Sequence, residues 1–247
     1  MSKTLAIILH YNSTKYTDTL YELLKPYEKD DYELIVIDNG SDLDKTSKYS
    51  SFRIEENCYY GGGLDVCMNY FLENEQYDSL IVLNSDLIIQ GHNFIKELRR
   101  NLFKYNHVQL TSACIIQPGL GQCYWPQMHC WNSTVPRKVE WVDYQCVLLK
   151  REFVEYVKSF NSKYGWVQDI MSGIICKNKN WTIQILDWLP AIHIGNGSIN
   201  DNLDKPDIAN YNTNAEKEMW QYFEQKGLLN ELIQLRNNAK TYEWRSL

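Results

Sequence analysis

Asn84-Ser85-Asp86 follows directly on the apolar run Leu80–Leu83. A carboxylate there lies just beyond a buried strand, where open α/β sheets bind their ligands. Oxygen donors suit hard divalent cations, and Mg²⁺ takes one or two carboxylates and fills its shell from substrate phosphates. The same tripeptide is also a common turn. Gly61-Gly62-Gly63, ahead of an apolar helical stretch, permits close backbone approach and presents a helix N-terminus that favours anions; a tight loop without a ligand is the plainer alternative. Gly165-Trp166-Val167-Gln168-Asp169 sets an acid at a helix start, where the dipole keeps it ionised at neutral pH and fit to abstract a hydroxyl proton. An N-cap aspartate without chemistry explains the same pattern. His193 can complete a metal shell, although a lone histidine after an apolar stretch is more often a satisfied core residue.

The elements that must position these groups alternate through the first ninety residues. Leu5–His10, Leu34–Asp38, Phe52–Ile54 and Ser79–Leu83 read as strands, and Asp18–Tyr27 and Gly63–Leu72 as helices. Strands this continuously apolar belong to a parallel sheet covered on both faces. The residues to inspect therefore follow each strand: Tyr11-Asn12, Asp38-Asn39 and Asn84-Ser85-Asp86. Further on, the spacing predicts helices over Asn93–Asn101, Arg151–Phe160 and Ile170–Lys177, and strands over Val108–Ile116, Val142–Leu149 and Thr182–Leu186. Residues 117–138 form a long loop with Trp125 and Trp131, of a length that is usually functional. From Thr213 onward two helical segments break near Gly227. Without repeat or linker, this is one domain with a helical tail.

The chain has 247 residues, 44% hydrophobic and 23% charged, which suits a globular protein and excludes a disordered one. With 25 Lys and Arg against 31 Asp and Glu, its net charge of −6 argues against nucleic-acid binding. No apolar run approaches a membrane span, and Leu5–Leu9 is too short for a signal peptide. Seven cysteines without a CxxC pair indicate neither a disulfide framework nor a zinc ribbon, so a cytoplasmic, reduced protein is expected. The dinucleotide fingerprint is missing after the first strand, where Tyr11-Asn12-Ser13-Thr14 stands.

In their order these pieces resemble GT-A-fold glycosyltransferases of the large family 2 type, close to its rhamnosyl- and galactosyltransferase-like members. Ile7-Ile8-Leu9-His10-Tyr11-Asn12 matches the family's opening V-I-[IV]-x-Y-N, and Glu33–Ser41 its E-[IL]-[IV]-V-V-D-[ND]-[GN]-S. Asn57–Gly63, ending at Asn69, matches N-x-G-[FY]-G-G-[GA]-x-N, with Tyr59 where glycine is usual. Leu80–Asp86 stands for the L-x-L-[ND]-x-D metal motif, Trp166–Asp169 for the E-D base motif with Gln168 in place of Glu, and His193–Ser198 for the late H-x-x-G-x-S segment.

The resemblance implies an α/β GT-A (Rossmann-like) fold with a mixed, mostly parallel sheet. Residues 1–203 would form the domain, 1–90 its nucleotide-binding half and 91–203 its acceptor half, with a helical tail over 204–247. Tyr11, Asp38, Asn39, Gly61, Gly62, Gly63, Asn69, Asn84 and Ser85 would bind the donor, a nucleoside diphosphate sugar with UDP or dTDP preferred. Asp86 and His193 would hold a divalent cation, Mn²⁺ or Mg²⁺. Asp169 would be the catalytic base of an inverting transfer to a glycan or lipid-linked glycan, with Trp125, Trp131, Trp166 and Gln168 toward that acceptor. The resemblance does not reach the tail, whose apolar helical stripe would pack on the domain, pair with a second copy or touch a membrane peripherally. Two rivals are a non-catalytic sugar-nucleotide or glycan binder and a sugar-nucleotide pyrophosphorylase; the latter needs a glycine-rich basic loop after the first strand, which Tyr11–Lys15 lacks.

Overall fold

The computed structural model describes residues 3–28, 31–89, 93–117, 125–158, 160–195 and 206–243. Its first half is a wound α/β unit. Strands β1 (Lys3–His10), β2 (Tyr32–Asp38), β3 (Ser50–Arg53) and β4 (Tyr77–Asn84) run parallel, connected through helices α1 (Thr14–Leu24) and α2 (Tyr59–Glu73). Leu5, Ala6, Ile7 and Ile8 are fully buried, as are Leu80 and Ile81, which follows from helices covering both faces. β1 lies between β2 and β4, so the strand order reverses there and opens a crevice at the carboxyl ends.

The second half extends the sheet in mixed directions. Strands β5 (Leu87–Ile89), β6 (Val108–Ile116), β7 (Arg137–Val139), β8 (Cys146–Lys150) and β9 (Thr182–His193) complete the order β3-β2-β1-β4-β8-β6-β9-β5, with β7 beside β9. β8 runs antiparallel between β4 and β6, pairing Cys146 with Leu83. Its entrance, Asp143–Gln145, therefore meets the exit of β4. β9 is long enough to pair β7 along its first half and β5 along its second. Helices α3 (Phe94–Leu102), α4 (Arg151–Val157) and α5 (Trp166–Asn178) flank this half, followed by α6 (Pro206–Ala209), α7 (Tyr211–Gln225) and α8 (Leu229–Lys240).

Several boundaries differ from the pattern-based expectation. α2 begins at Tyr59, so the glycine run forms its first turn instead of preceding it. β8 begins at Cys146, not Val142, which frees Asp143 from the ladder. β9 continues past Leu186 because a register shift, leaving Asp187–Leu189 out of the pairing with β6, accommodates Pro190. β5 and β7, three residues each, were too short to give a periodic signal.

The tryptophan-rich loop is held by one buried ion pair. Arg137 and Asp187 are fully enclosed, 2.7 Å apart, and Asp187 also accepts from the backbone N–H of Trp131 and Ser133. Arg137 donates to the carbonyls of Gln127 and His129 in the loop and to the Tyr242 hydroxyl after the last helix, so the guanidinium ties the loop to β9 and to the tail. α7 and α8 pack on α5 through Met219, Phe223, Leu232 and Leu235 against Ile170 and Ile174, and Trp141 donates its indole N–H to the Leu235 carbonyl. No helix among the described residues is long and apolar enough to cross a membrane.

Candidate active site

A cleft of about 500 Å³ opens at the carboxyl ends of β1 and β4 and continues to the tail helices. Tyr11, Asn39, Asn84, Ser85, Asp86, Trp125, Trp166, Asp169 and His193 all line it. They come from distant stretches because the sheet gathers them. Ser13 and Ser85, following β1 and β4, are joined by a 2.8 Å hydroxyl contact across the switch point. β5 and β9 pair Leu87 with His193, which places the His193 Nε2 3.1 Å from Asp86 Oδ1, and the Ile194 N–H donates to the Asp86 carbonyl.

Asp143 was missed by sequence reasoning, and the directional logic of the sheet could have found it. In an antiparallel strand inserted into a parallel sheet, the residues ahead of the strand reach the ligand edge. Asp143, ahead of β8, accordingly lines the cleft; Gln145 donates to its carboxylate at 2.8 Å. The N–H of Asn84, the last residue of β4, donates to the Gln145 carbonyl and ties the two ends together.

Asp169, in the first turns of α5, accepts from the Tyr144 N–H at 3.1 Å. Burial and the neighbouring Asp143 push its carboxyl well above the usual range. This corrects the expectation that the helix start keeps Asp169 ionised. The dipole is worth at most ~2 kcal/mol, and desolvation beside a second carboxyl outweighs it. Asp143 is raised too, by burial, with His193 and Gln145 pulling it back. For His193 burial favours the neutral ring, but Asp86 and Asp143 together leave it raised.

Other expected site residues lie elsewhere. Asp38 is fully buried behind the cleft, accepting from the Ser41 N–H at 2.8 Å with Arg53 3.8 Å away. Asn69 is exposed on α2. Trp131 donates to the Pro126 carbonyl and packs beside His129 and Tyr242. Gln168 is fully buried, its amide without a hydrogen-bond partner. Gly61, Gly62 and Gly63 do not line the cleft but allow close packing: a Cβ on Gly61 would stand 1.9 Å from the Ser162 carbonyl oxygen, and one on Gly63 2.7 Å from Leu9. Asn39 shapes the approach to α2, donating to the Tyr59 carbonyl and accepting from the Cys58 N–H. Asn196, Gly197 and Ser198 fall outside the described residues, as does Cys123.

The donor set fits a hard cation that shares its shell with a substrate. Asn84 Oδ1 and His193 Nδ1 are buried without hydrogen-bond partners, while the other ring nitrogen, His193 Nε2, faces the Asp86 carboxylate. Among the described residues no three His, Cys, Asp or Glu side chains close around an ion. Incomplete protein ligation is what Mg²⁺-type sites show when diphosphate oxygens supply the remainder.

No protein-family model and no curated sequence matches the chain. Among solved structures, GalNAc-T7 with UDP, GalNAc and Mn²⁺ superposes with a TM-score of 0.56 and 10% identity, over 78% of this chain and 44% of that one. This chain thus spans less than half of the GalNAc-T7 chain. The A197 protein from STIV superposes with a TM-score of 0.50 and 17% identity, over 77% and 85%. Likeness at such identity speaks to architecture: the chain has a mixed α/β fold of the GT-A, Rossmann-like type.

Proposed function

We propose that the chain is a metal-assisted, inverting glycosyltransferase that moves a sugar from a nucleoside diphosphate donor to a hydroxyl of a glycan or lipid-linked glycan. The observation that carries this reading is convergence: Asp86, Asp143, Asp169 and His193 share one cleft at the switch point of a GT-A sheet. GalNAc-T7, with the same architecture, was crystallised with UDP, a sugar and Mn²⁺.

Tyr11 and Asn39 line the end that would take the nucleotide, with Asn84 and Ser85 toward the ribose. Asp86, His193 and the Asn84 amide oxygen would hold the cation. When bound, it supplies positive charge to the departing diphosphate, where negative charge develops. Asp169 accepts the proton of the attacking hydroxyl, and its raised basicity strengthens it for that step once the carboxyl is ionised. Tyr144 fixes one carboxyl oxygen through its N–H, so the other is the one aimed at the acceptor. Trp125 and Trp141, edge to face at 4.9 Å, wall the far side and limit water, whose attack would waste the donor.

A second reading is a non-catalytic sugar-nucleotide binder, favoured by burial and the neighbouring Asp143, which push the Asp169 carboxyl up and so disfavour its ionised form in the free cleft. One series separates the two. The melting temperature should rise with UDP or dTDP only when Mn²⁺ or Mg²⁺ is present, and Asp86→Ala should remove the metal-dependent part. Diphosphate release that requires an acceptor identifies a transferase. Nucleotide binding without consumption of any donor identifies a binder, and full activity in chelator removes the metal from the reaction.

A further inference from the structure

The far end of the cleft is walled by the C-terminal helices, which the transfer chemistry above does not use. Tyr211, Glu216 and Met219 of α7 and Arg236 of α8 line it. These helices are tied to the base-bearing helix. Glu218 accepts from Ser162, Lys163 and Tyr164 in the turn before α5, and the Tyr211 hydroxyl donates to the Tyr164 carbonyl at 2.6 Å. Arg236 is 12% exposed, with its guanidinium 5.4 Å from the Trp125 ring centre and 5.7 Å from that of Trp220. It donates to Glu216 at 3.3 Å, while Glu216 stays half exposed. Held between two indoles, the fork is preorganised and loses little freedom on binding.

The chemistry of this wall names its ligand. Trp166 precedes Asp169 by three residues, on the same helix face, and also lines the cleft. Trp166 and the Arg236–Glu216 pair line the same cleft, and an indole face together with a guanidinium–carboxylate pair matches a pyranose ring, which presents a C–H face and vicinal hydroxyls that both donate and accept. The fork itself carries no net charge. A sugar carboxylate would compete with Glu216 for Arg236 and lie against the Glu216 charge, so an uncharged ring fits the pair. We propose that α7 and α8 complete an acceptor subsite for a neutral pyranose, stacked on Trp166 with adjacent hydroxyls held by Glu216 and Arg236. The transferase reading supplies only the word acceptor; the saccharide site itself stands on the cleft wall.

The test uses the full chain without donor. Saturation-transfer NMR is run with methyl glycosides of glucose, galactose, mannose and rhamnose, and with methyl glucuronoside as the anionic comparison. At least one neutral glycoside should receive saturation on its ring protons. Glu216→Gln should weaken its binding about tenfold (~1.4 kcal/mol), and Arg236→Gln at least as much. Melting followed by circular dichroism reports whether the variants are folded. Arg236 packs on two tryptophans and its loss can unfold the tail, so half-exposed Glu216 is the deciding position. Unchanged affinity in folded Glu216→Gln, a preference for the glucuronoside, or no saturation of any neutral glycoside overturns the proposal. Glycoside binding that the variants weaken, with no donor ever consumed, would sink the transferase reading and keep the saccharide site. Donor consumption with unaltered glycoside affinity would do the reverse.

Discussion

Replacing Asp169 by asparagine should make the protein more stable and less active at once. Asn keeps the shape and still offers an oxygen to the Tyr144 N–H. What is lost is small, because an amide oxygen replaces the oxygen of a carboxyl that the fold already disfavours as a charge. What is gained is relief from the proton that folding must hold on Asp169, whose carboxyl burial and the neighbouring Asp143 push up. The net stabilisation is on the order of 1–2 kcal/mol, or a few degrees in melting temperature for a chain of this size.

The pH dependence fixes the cause. The folded-state pKa of Asp169 lies above its unfolded value of about 3.9. Above that pH the native state keeps a proton that the unfolded chain releases, so stability falls as pH rises toward the folded pKa. The asparagine variant lacks this slope. Its advantage should therefore vanish near pH 4 and grow toward neutrality, in thermal melts at a series of pH values. Transfer should drop by about 10²–10⁴-fold, the usual worth of a positioned base. A variant that melts lower than the parent at pH 7, or keeps full transfer, would refute the assignment.

Three further outcomes follow from other parts of the cleft and its supports. Asp143→Asn removes the carboxyl that raises Asp169, so the acid limb of the rate–pH profile should move to lower pH; an unmoved limb would separate the two groups. Gly61→Ala forces a methyl into the Ser162 carbonyl, a backbone atom that cannot rotate away. About 1–3 kcal/mol of stability should go, and transfer should fall further, because the turn that shifts leads into the Asp169 helix; denaturant melts and turnover check both. Arg137→Met leaves Asp187 enclosed without its partner, which should cost about 3–5 kcal/mol, seen as a large fall in the denaturation midpoint.

The wound half of the fold was legible because its signals are local. Continuous apolar strands and the turns after them give the sheet, and the sheet gives the edge where Tyr11, Asn39 and Asn84–Asp86 gather. Asp169 and His193 stood out as single residues with plainer alternatives, the family resemblance gave them roles, and the same cleft contains both. Hidden from a linear reading were the consequences of strand direction. Asp143 looks like an ordinary residue inside an apolar run, and only an antiparallel β8 turns its position into a cleft wall. The glycine run misled in the opposite sense, because Cβ-less residues serve ligands and tight helix contacts alike; the carbonyl of Ser162, a hundred residues away, decides between them.

The electrostatic state of the cleft was the least legible property, and it bears most on function. Periodicity reports that Asp169 starts a helix, but not that Asp143 and a closed wall accompany it. A free cleft crowded with carboxyls disfavours ionising its own base. A divalent cation held at Asp86 alongside the donor would offset that preference, since a nearby cation lowers the pKa of the carboxyls around it to the extent that the diphosphate charge leaves it unscreened. The base would then become competent only after the donor is loaded, which limits proton abstraction from an acceptor that arrives first. The readout of this argument is the titration of Asp169, which should move to lower pH when Mn²⁺ and a nucleoside diphosphate are added to the protein. A titration left unmoved by them would contradict it.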